Sequence, residues 1–420
     1  MGNDLPLSSR GRFLWFALGS LGIALLVFAF IALIWHNWSS FQAAIDTCTS
    51  PFCDFTTFYY PMGKAVFISG TPVEGFMYSP FIALLLAIFS PLALNTSILL
   101  WGILQVGCVV LYLLLFRWLV PASLRYQLFF VLIALTSFPL WHNLSWGQVG
   151  VITTVAILGM LALLERGRRL SATALVGFAA SFKFFPLIFL APFAFRRDFR
   201  FLLLAALACV VFLLLIPGVL MGPADTLTFY RGLLDFYRDS GWVVSNYNSQ
   251  HFPHLLLRLL GRLGFAARPY LPLLSIFSFS LAALSLVIVY LVQRAHLPYA
   301  DLWSVHLLFL SIPFFLKTSW PVDLVYISFA QAFLAWQVLE GDPAHPGSHR
   351  RQRSRGILLA LLAVSVGFSN MVTFHLIGNH RTYGFLGFIY WSDLLCLIAS
   401  CILLLPKLSC LPLFSKITNR

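Results

Sequence analysis

The feature that most limits how this chain can fold is a recurrence of apolar runs, each about 20 residues long, joined by short polar segments. They fall at 13–35, 78–95, 97–116, 126–141, 148–164, 172–194, 200–220, 271–292, 303–316, 324–339, 357–376 and 385–405. Lipid offers no water to backbone amides, so each run must close its hydrogen bonds within itself, as a helix. The chain is 60% hydrophobic and only 10% charged, where soluble domains are about a quarter charged. A soluble fold of 420 residues could not hide so much apolar surface. The expected fold is an all-α polytopic membrane protein, a single integral membrane domain over 1–420 with about 11–13 transmembrane segments, some of which need not cross fully.

Charge then orients the helices. The net charge of +13 does not point to nucleic acid, because no long basic stripe interleaved with aromatics is present. The basic residues sit in short joints, where they set topology by staying on the cytoplasmic side. Arg10 and Arg12 precede the run Phe13 to Trp35, which is too long for a signal peptide and is followed by no small-residue cleavage site. It reads as a retained first helix with a cytoplasmic N-terminus. Arg294, the cluster Arg350, Arg351, Arg353 and Arg355, and then Lys407, Lys416 and Arg420 share that side if the later helices alternate, which makes the C-terminus cytoplasmic too. The middle resists alternation, which separates Arg166, Arg168 and Arg169 from Arg196, Arg197 and Arg200. Both clusters fall inside if 172–194 is re-entrant or broken. Its stretch Ser181-Phe182-Lys183-Phe184-Phe185-Pro186 holds a charge and a helix breaker, both tolerated where backbone faces protein or a wet cavity. A compensating segment between 78 and 141 must then fail to cross.

Two long polar stretches remain, at 36–77 and 221–270, and this topology places both outside. Their length argues for function, their aromatic content against disorder, and together they could roof a cavity. The basic loop at 340–356 is a topology signal, with anionic lipid as a second reading. Cys48 and Cys53 share the first long loop and could pair in an oxidising compartment. No Cys/His spacing suggests a metal site. There is also no G-x-x-x-x-G-K and no D-x-D to hold a metal–nucleotide, so neither metal nor cofactor is expected.

The first long loop holds Asp54-Phe55-Thr56-Thr57-Phe58-Tyr59-Tyr60. A carboxylate among aromatics is partly desolvated, which raises its pKa and suits it to general-base work. The plainer alternative is an interfacial aromatic belt with one solvated acid. Tyr59 and Tyr60 offer hydroxyls and flat faces to a sugar ring. Asn143 and Gln148, in a polar break between apolar runs, either bond sugar hydroxyls or cap the next helix. Lys183 inside an apolar run is costly and so a functional candidate, or else it snorkels to an interface.

The order of these features adds to them. Asp54-Phe55 and the pair Tyr59-Tyr60 are followed by Gly70, Tyr78-Ser79-Pro80 and Pro91-Leu92. Then come Asn143-Leu144-Ser145-Trp146-Gly147-Gln148, Lys183 with Pro186, and Asn248-Ser249-Gln250 with Arg258. From about Cys53 to Asp323 the chain resembles glycosyltransferase family 87, polytopic enzymes of the GT-C superfamily. The resemblance implies a GT-C-like helical bundle in a bacterial plasma membrane. It also implies an inverting transferase that takes a sugar, usually mannose, from a polyprenyl-phosphate donor to a lipid-linked or glycan acceptor at the extracytoplasmic face. The role of base carries onto Asp54, and Tyr59, Tyr60, Tyr78, Asn143, Gln148, Asn248, Gln250 and Asp323 become candidate substrate contacts. Lys183, Arg258, Arg231 and Lys317 are candidate cations for the donor phosphate, where charge develops on the leaving group.

Two departures stand out. Tyr78-Ser79-Pro80 replaces a Tyr-Pro-Pro, and Ser319-Trp320 is followed by Pro321 where many family members have histidine. Asp323, His251 or His254 could take over that histidine's share of proton handling. The alternative functions are a transporter or flippase of a lipid-linked glycan, lined by Asp54 and Lys183, and an inactive scaffold.

Overall fold

In the computed structural model, residues 52–69, 71–238, 241–266, 268–340, 349–377 and 380–408 are described. The expected helix at 13–35, Cys48, residues 341–348 of the loop at 340–356, Lys416 and Arg420 lie outside them, and the rest of that expected loop, from His349, is the start of a helix, His349–Ser369. Apart from one isolated bridge between Ser137 and Asn370, the regular structure of the described residues is helical. The chain is thus an all-α polytopic membrane protein. Five helices are long and apolar enough to cross a bilayer: Leu94–Leu119, Phe199–Leu220, Arg268–Arg294, Pro321–Leu339 and His380–Leu408. Phe138–Trp146 and Gly150–Glu165 form a sixth if they are read as one span bent by 118°. Shorter apolar helices at Leu124–Leu135, Ala300–Leu310 and Arg355–Ser369 match the remaining expected runs.

The helix ends sort into two sets. At one end of the bundle Arg125 pairs with Glu340 at 2.7 Å and Arg166 lies over the Trp118 ring. Arg169 pairs there with Asp198, and Arg196 with Asp301 at 2.8 Å. The two middle basic clusters therefore share one end, and 172–194 does not cross. Arg169–Phe182 is 14 residues, about 20 Å at 1.5 Å per residue, which is short of a hydrocarbon core of about 30 Å. The chain turns at Lys183, whose backbone is extended (φ −146°, ψ 148°). It then returns through Phe185–Leu190 and Ala191–Phe195.

The compensating half-pass is Pro80–Leu86 with Ala87–Phe89. Both of its ends lie at the opposite pole of the bundle: Tyr78 bonds Gln148 at one, and at the other the Phe89 ring stands 5.4 Å from Phe55. The two half-passes touch where the Ser79 amide donates to the Ser181 carbonyl at 3.3 Å.

Candidate active site

The pole away from Arg125, Arg166, Arg169 and Arg196 holds a cavity of about 670 Å³. Its wall draws on the first long loop (Asp54, Phe58, Tyr59, Glu74), on the Phe138–Trp146 helix and Gln148, and on the second long loop (Trp242, Asn246, Tyr247, Asn248). The two loops thus meet over one space.

Asp54 is set in place by a sharp local reversal. Phe52 has φ +51°, an uncommon value for a residue with a side chain, and its amide donates to the Ser145 carbonyl at 3.1 Å. Opposite it, Gly147 has φ +67°, and a Cβ there would stand 2.7 Å from the Phe52 Cβ. Glycine alone serves both demands. This left-handed cap lets the chain bend by 118° into Gly150–Glu165, where a Cβ on Gly150 would meet the Val322 carbonyl at 1.7 Å. After Asp54 the chain runs as a π turn, Phe55–Tyr59, a wide geometry frequent at functional sites. Asp54 and Tyr59, at its two ends, both reach the cavity.

Gln148 is the hub. Its Nε2 donates to Asp54 Oδ2, while its Oε1 stands 3.0 Å from both the Tyr59 and Tyr78 hydroxyls, themselves 2.8 Å apart. Its carbonyl accepts from Gln105 Nε2 at 2.7 Å, and Gln105 Oε1 accepts from Asn143 Nδ2 at 3.1 Å. Asn143 Oδ1 in turn accepts from the Val151 amide at 3.1 Å, and Trp101 Nε1 ties the Gly147 carbonyl at 2.9 Å. Such a fully bonded buried network fixes rotamers and cannot shift one member alone.

Asp54 is 7% exposed and lies outside the membrane-spanning segments. Burial pushes its carboxyl up to about 7, against the opposing pull of the Gln148 hydrogen bond and the Lys183 charge. Burial likewise raises the Tyr59 phenol well above its ordinary value, so it stays a donor. Below them Lys183 Nζ meets Asp323 at 2.6 and 2.8 Å, with both side chains buried.

The sequence model of glycosyltransferase family 87 matches residues 76–313, more than half of the chain. The chain belongs to glycosyltransferase family 87. No curated protein and no solved structure matches it. The family span contains Tyr78, Gln148 and Lys183 but stops short of Asp54 and Asp323, so these two residues rest on geometry.

In this family 87 transferase, Asp54, Tyr59, Tyr78, Gln148 and Asn248 are brought together on the cavity wall. Asn143 and Gln250 stand behind it. Gln250 donates to the Asn248 and Gly384 carbonyls and accepts from the Tyr390 amide. Tyr60 donates to the Leu92 carbonyl at 2.8 Å, and Lys64 lies over its ring. Among the described residues no lysine or arginine lines the cavity. Lys183 is held by Asp323. Arg258 braces the second loop by donating to the Asn246 and Ser249 carbonyls at 2.9 and 2.7 Å, while Arg231 and Lys317 are exposed.

His251 donates to the Pro313 carbonyl at 2.9 Å, and His254 meets Ser249 Oγ at 2.9 Å. Neither lines the cavity. Burial lowers their pKa values to about 4 and about 3, so both are neutral at physiological pH. Cys53 is disulfide-bonded; Cys48, which could pair with it, lies outside the described residues.

Sequence reasoning missed Gln105, His142, Trp242, Tyr247 and Arg381. Gln105, a lone amide inside an apolar run, carried a usable signal, since a polar side chain in a span needs a partner. Arg381 lies over the Tyr247 ring, 5.8 Å from its centroid, and nothing in its local sequence marks it.

Proposed function

We propose that this family 87 glycosyltransferase moves a hexose, mannose first among the candidates, from a polyprenyl-phosphate donor to a hydroxyl of a lipid-linked or glycan acceptor. The observation that carries this reading is Asp54: a nearly buried carboxylate on the wall of a sugar-sized cavity, held by Gln148 and with its pKa moved to about 7. A general base works best with a pKa near the operating pH. The acceptor O–H gives its proton to Asp54 as its oxygen bonds to the anomeric carbon. The bond from that carbon to the phosphate oxygen breaks on the opposite face, and polyprenyl phosphate leaves with the electron pair. One displacement inverts the configuration.

The leaving phosphate needs a cation where charge develops. Arg381, exposed beside the Tyr247 wall, is better placed for this than the cations locked elsewhere. The arginine-rich pole favours a cytoplasmic setting by the charge rule, which supports an extracytoplasmic cavity. The step as written uses no metal or cofactor.

The test is transfer in liposomes containing polyprenyl-phosphate mannose and a membrane glycolipid extract. Wild type should yield a mannosylated lipid and free polyprenyl phosphate, and Asp54→Asn should yield neither. Equal turnover by both proteins would sink Asp54 as the base, and lipid-linked sugar crossing the bilayer without bond cleavage would sink the transferase reading.

A further inference from the structure

Polar atoms on the cavity wall divide into those already spent and those still free to bond. Asn143 uses its Oδ1 on Val151 and its Nδ2 on Gln105, and Gln148 uses its amide on Asp54 and the two tyrosines. These two amides, the natural choices from sequence, have little left for a substrate. On the same wall, four other side chains hold buried polar atoms with no hydrogen-bond partner among the described residues. They are both ring nitrogens of His142, the indole Nε1 of Trp146, the indole Nε1 of Trp320 and Asn248 Oδ1. His142 and Asn248 are buried and Trp146 and Trp320 half-buried, but each of these atoms is itself buried, and unpaired buried polar groups are costly enough to need a purpose.

Their arrangement suggests that purpose. The His142 and Trp146 rings stack with centroids 5.0 Å apart and planes 20° from parallel, and His380 continues the column at 4.8 Å. Trp320 faces Trp242 at 6.1 Å. The wall combines flat apolar faces with fixed donors (two indole N–H groups) and acceptors (Asn248 Oδ1 and whichever His142 nitrogen is unprotonated). A flat ring rimmed with hydroxyls complements it: the C–H face of a pyranose stacks, and its hydroxyls bond the unspent atoms. The nearest cations are Lys183 over the Trp320 ring, already paired with Asp323, and Arg381 over the Tyr247 ring; neither touches the unspent atoms, and an alkyl chain would leave every one of these atoms unpaired.

We propose that His142, Trp146, Asn248 and Trp320 form the acceptor subsite, which takes a terminal hexopyranose unit of a glycan or glycolipid. This deepens the transferase reading above and rests on it for the word acceptor. Binding of the ring does not depend on Asp54 chemistry, and that separates the two claims experimentally.

The test uses the full chain in lipid nanodiscs and a panel of methyl hexopyranosides, with binding read by saturation-transfer NMR and acceptor KM read in the liposome assay. Wild type should bind at least one glycoside. His142→Phe keeps the stacked ring without its nitrogens and should weaken binding and raise acceptor KM about tenfold or more, with kcat less affected. His142→Gln should restore part of both. Trp146→Phe should behave as His142→Phe does, and Asp54→Asn should bind the glycoside normally. Unchanged glycoside binding in both His142→Phe and Trp146→Phe, or no binding to wild type, would overturn the subsite. Turnover surviving in Asp54→Asn would overturn the base and leave the glycoside result to be judged alone.

Discussion

Lys183 and Asp323, 140 residues apart in sequence, meet in a buried ion pair at 2.6 and 2.8 Å that joins the tip of the re-entrant hairpin to the start of the Pro321–Leu339 span. Asp323 also accepts from the Trp320 amide at 3.2 Å, so the aspartate organises its own turn as well as neutralising the lysine. Removing one member leaves the other charge buried alone, at a cost of about 3–5 kcal/mol, whereas replacing both with apolar residues is often near neutral. Lys183→Met and Asp323→Leu should each lower thermal stability in detergent, and the double variant should recover most of the loss. Additive losses would show that the pair is not coupled.

Activity should depend on the ionisation of Asp54. The base works as a carboxylate, so transfer should rise with pH through about 7, its raised value. Gln148→Leu removes the hydrogen bond that favours the charged form, and should move this limb to higher pH. A pH–rate profile with the limb unmoved would separate Gln148 from Asp54.

The same shift has a consequence for stability. A carboxyl raised in the folded state contributes most below its unfolded pKa and loses that contribution as pH rises from about 4 through about 7. Asp54→Asn should therefore flatten the fall in thermal stability across this window while abolishing turnover. An unchanged slope would mean that other groups set it.

Tyr59→Phe and Tyr78→Phe each remove one hydroxyl from the pair at Gln148. A buried neutral hydrogen bond is worth about 1 kcal/mol, so each should reduce kcat about fivefold. The double variant should lose more than the product, because Gln148 Oε1 would then lack any donor.

The half-pass topology predicts that cysteines introduced as Arg168→Cys and Arg197→Cys react with an impermeant thiol reagent from the same side of sealed vesicles. A cysteine at Glu74 should react from the other side. Labelling of positions 168 and 197 from opposite sides would restore a full crossing at 172–194.

Much of this was legible in residue order. Apolar runs located the helices long enough to cross, because lipid imposes one requirement on all of them, but not Tyr60–Ser69, Pro223–Arg238 and Phe252–Arg262, helices within the stretches read as loops. Lys183 and Pro186 marked the hairpin turn because neither suits a continuous span. The site was only half legible. Asn143 and Gln148 stood out as polar residues in a break, yet their hydrogen bonds depend on the Gly147 cap and on Gln105 from another helix. The Lys183–Asp323 pair could not be foreseen, because periodicity within a run says nothing about which distant run lies beside it. His142 was hidden beside the more conspicuous Asn143.

The contact between Ser79 and Ser181 has one further consequence. A short helix at one pole, Pro80–Phe89, is thereby tied at its start to the turn of a hairpin that enters from the other pole. A deep wet cleft can then be hollowed out on one side without opening a conduit to the other.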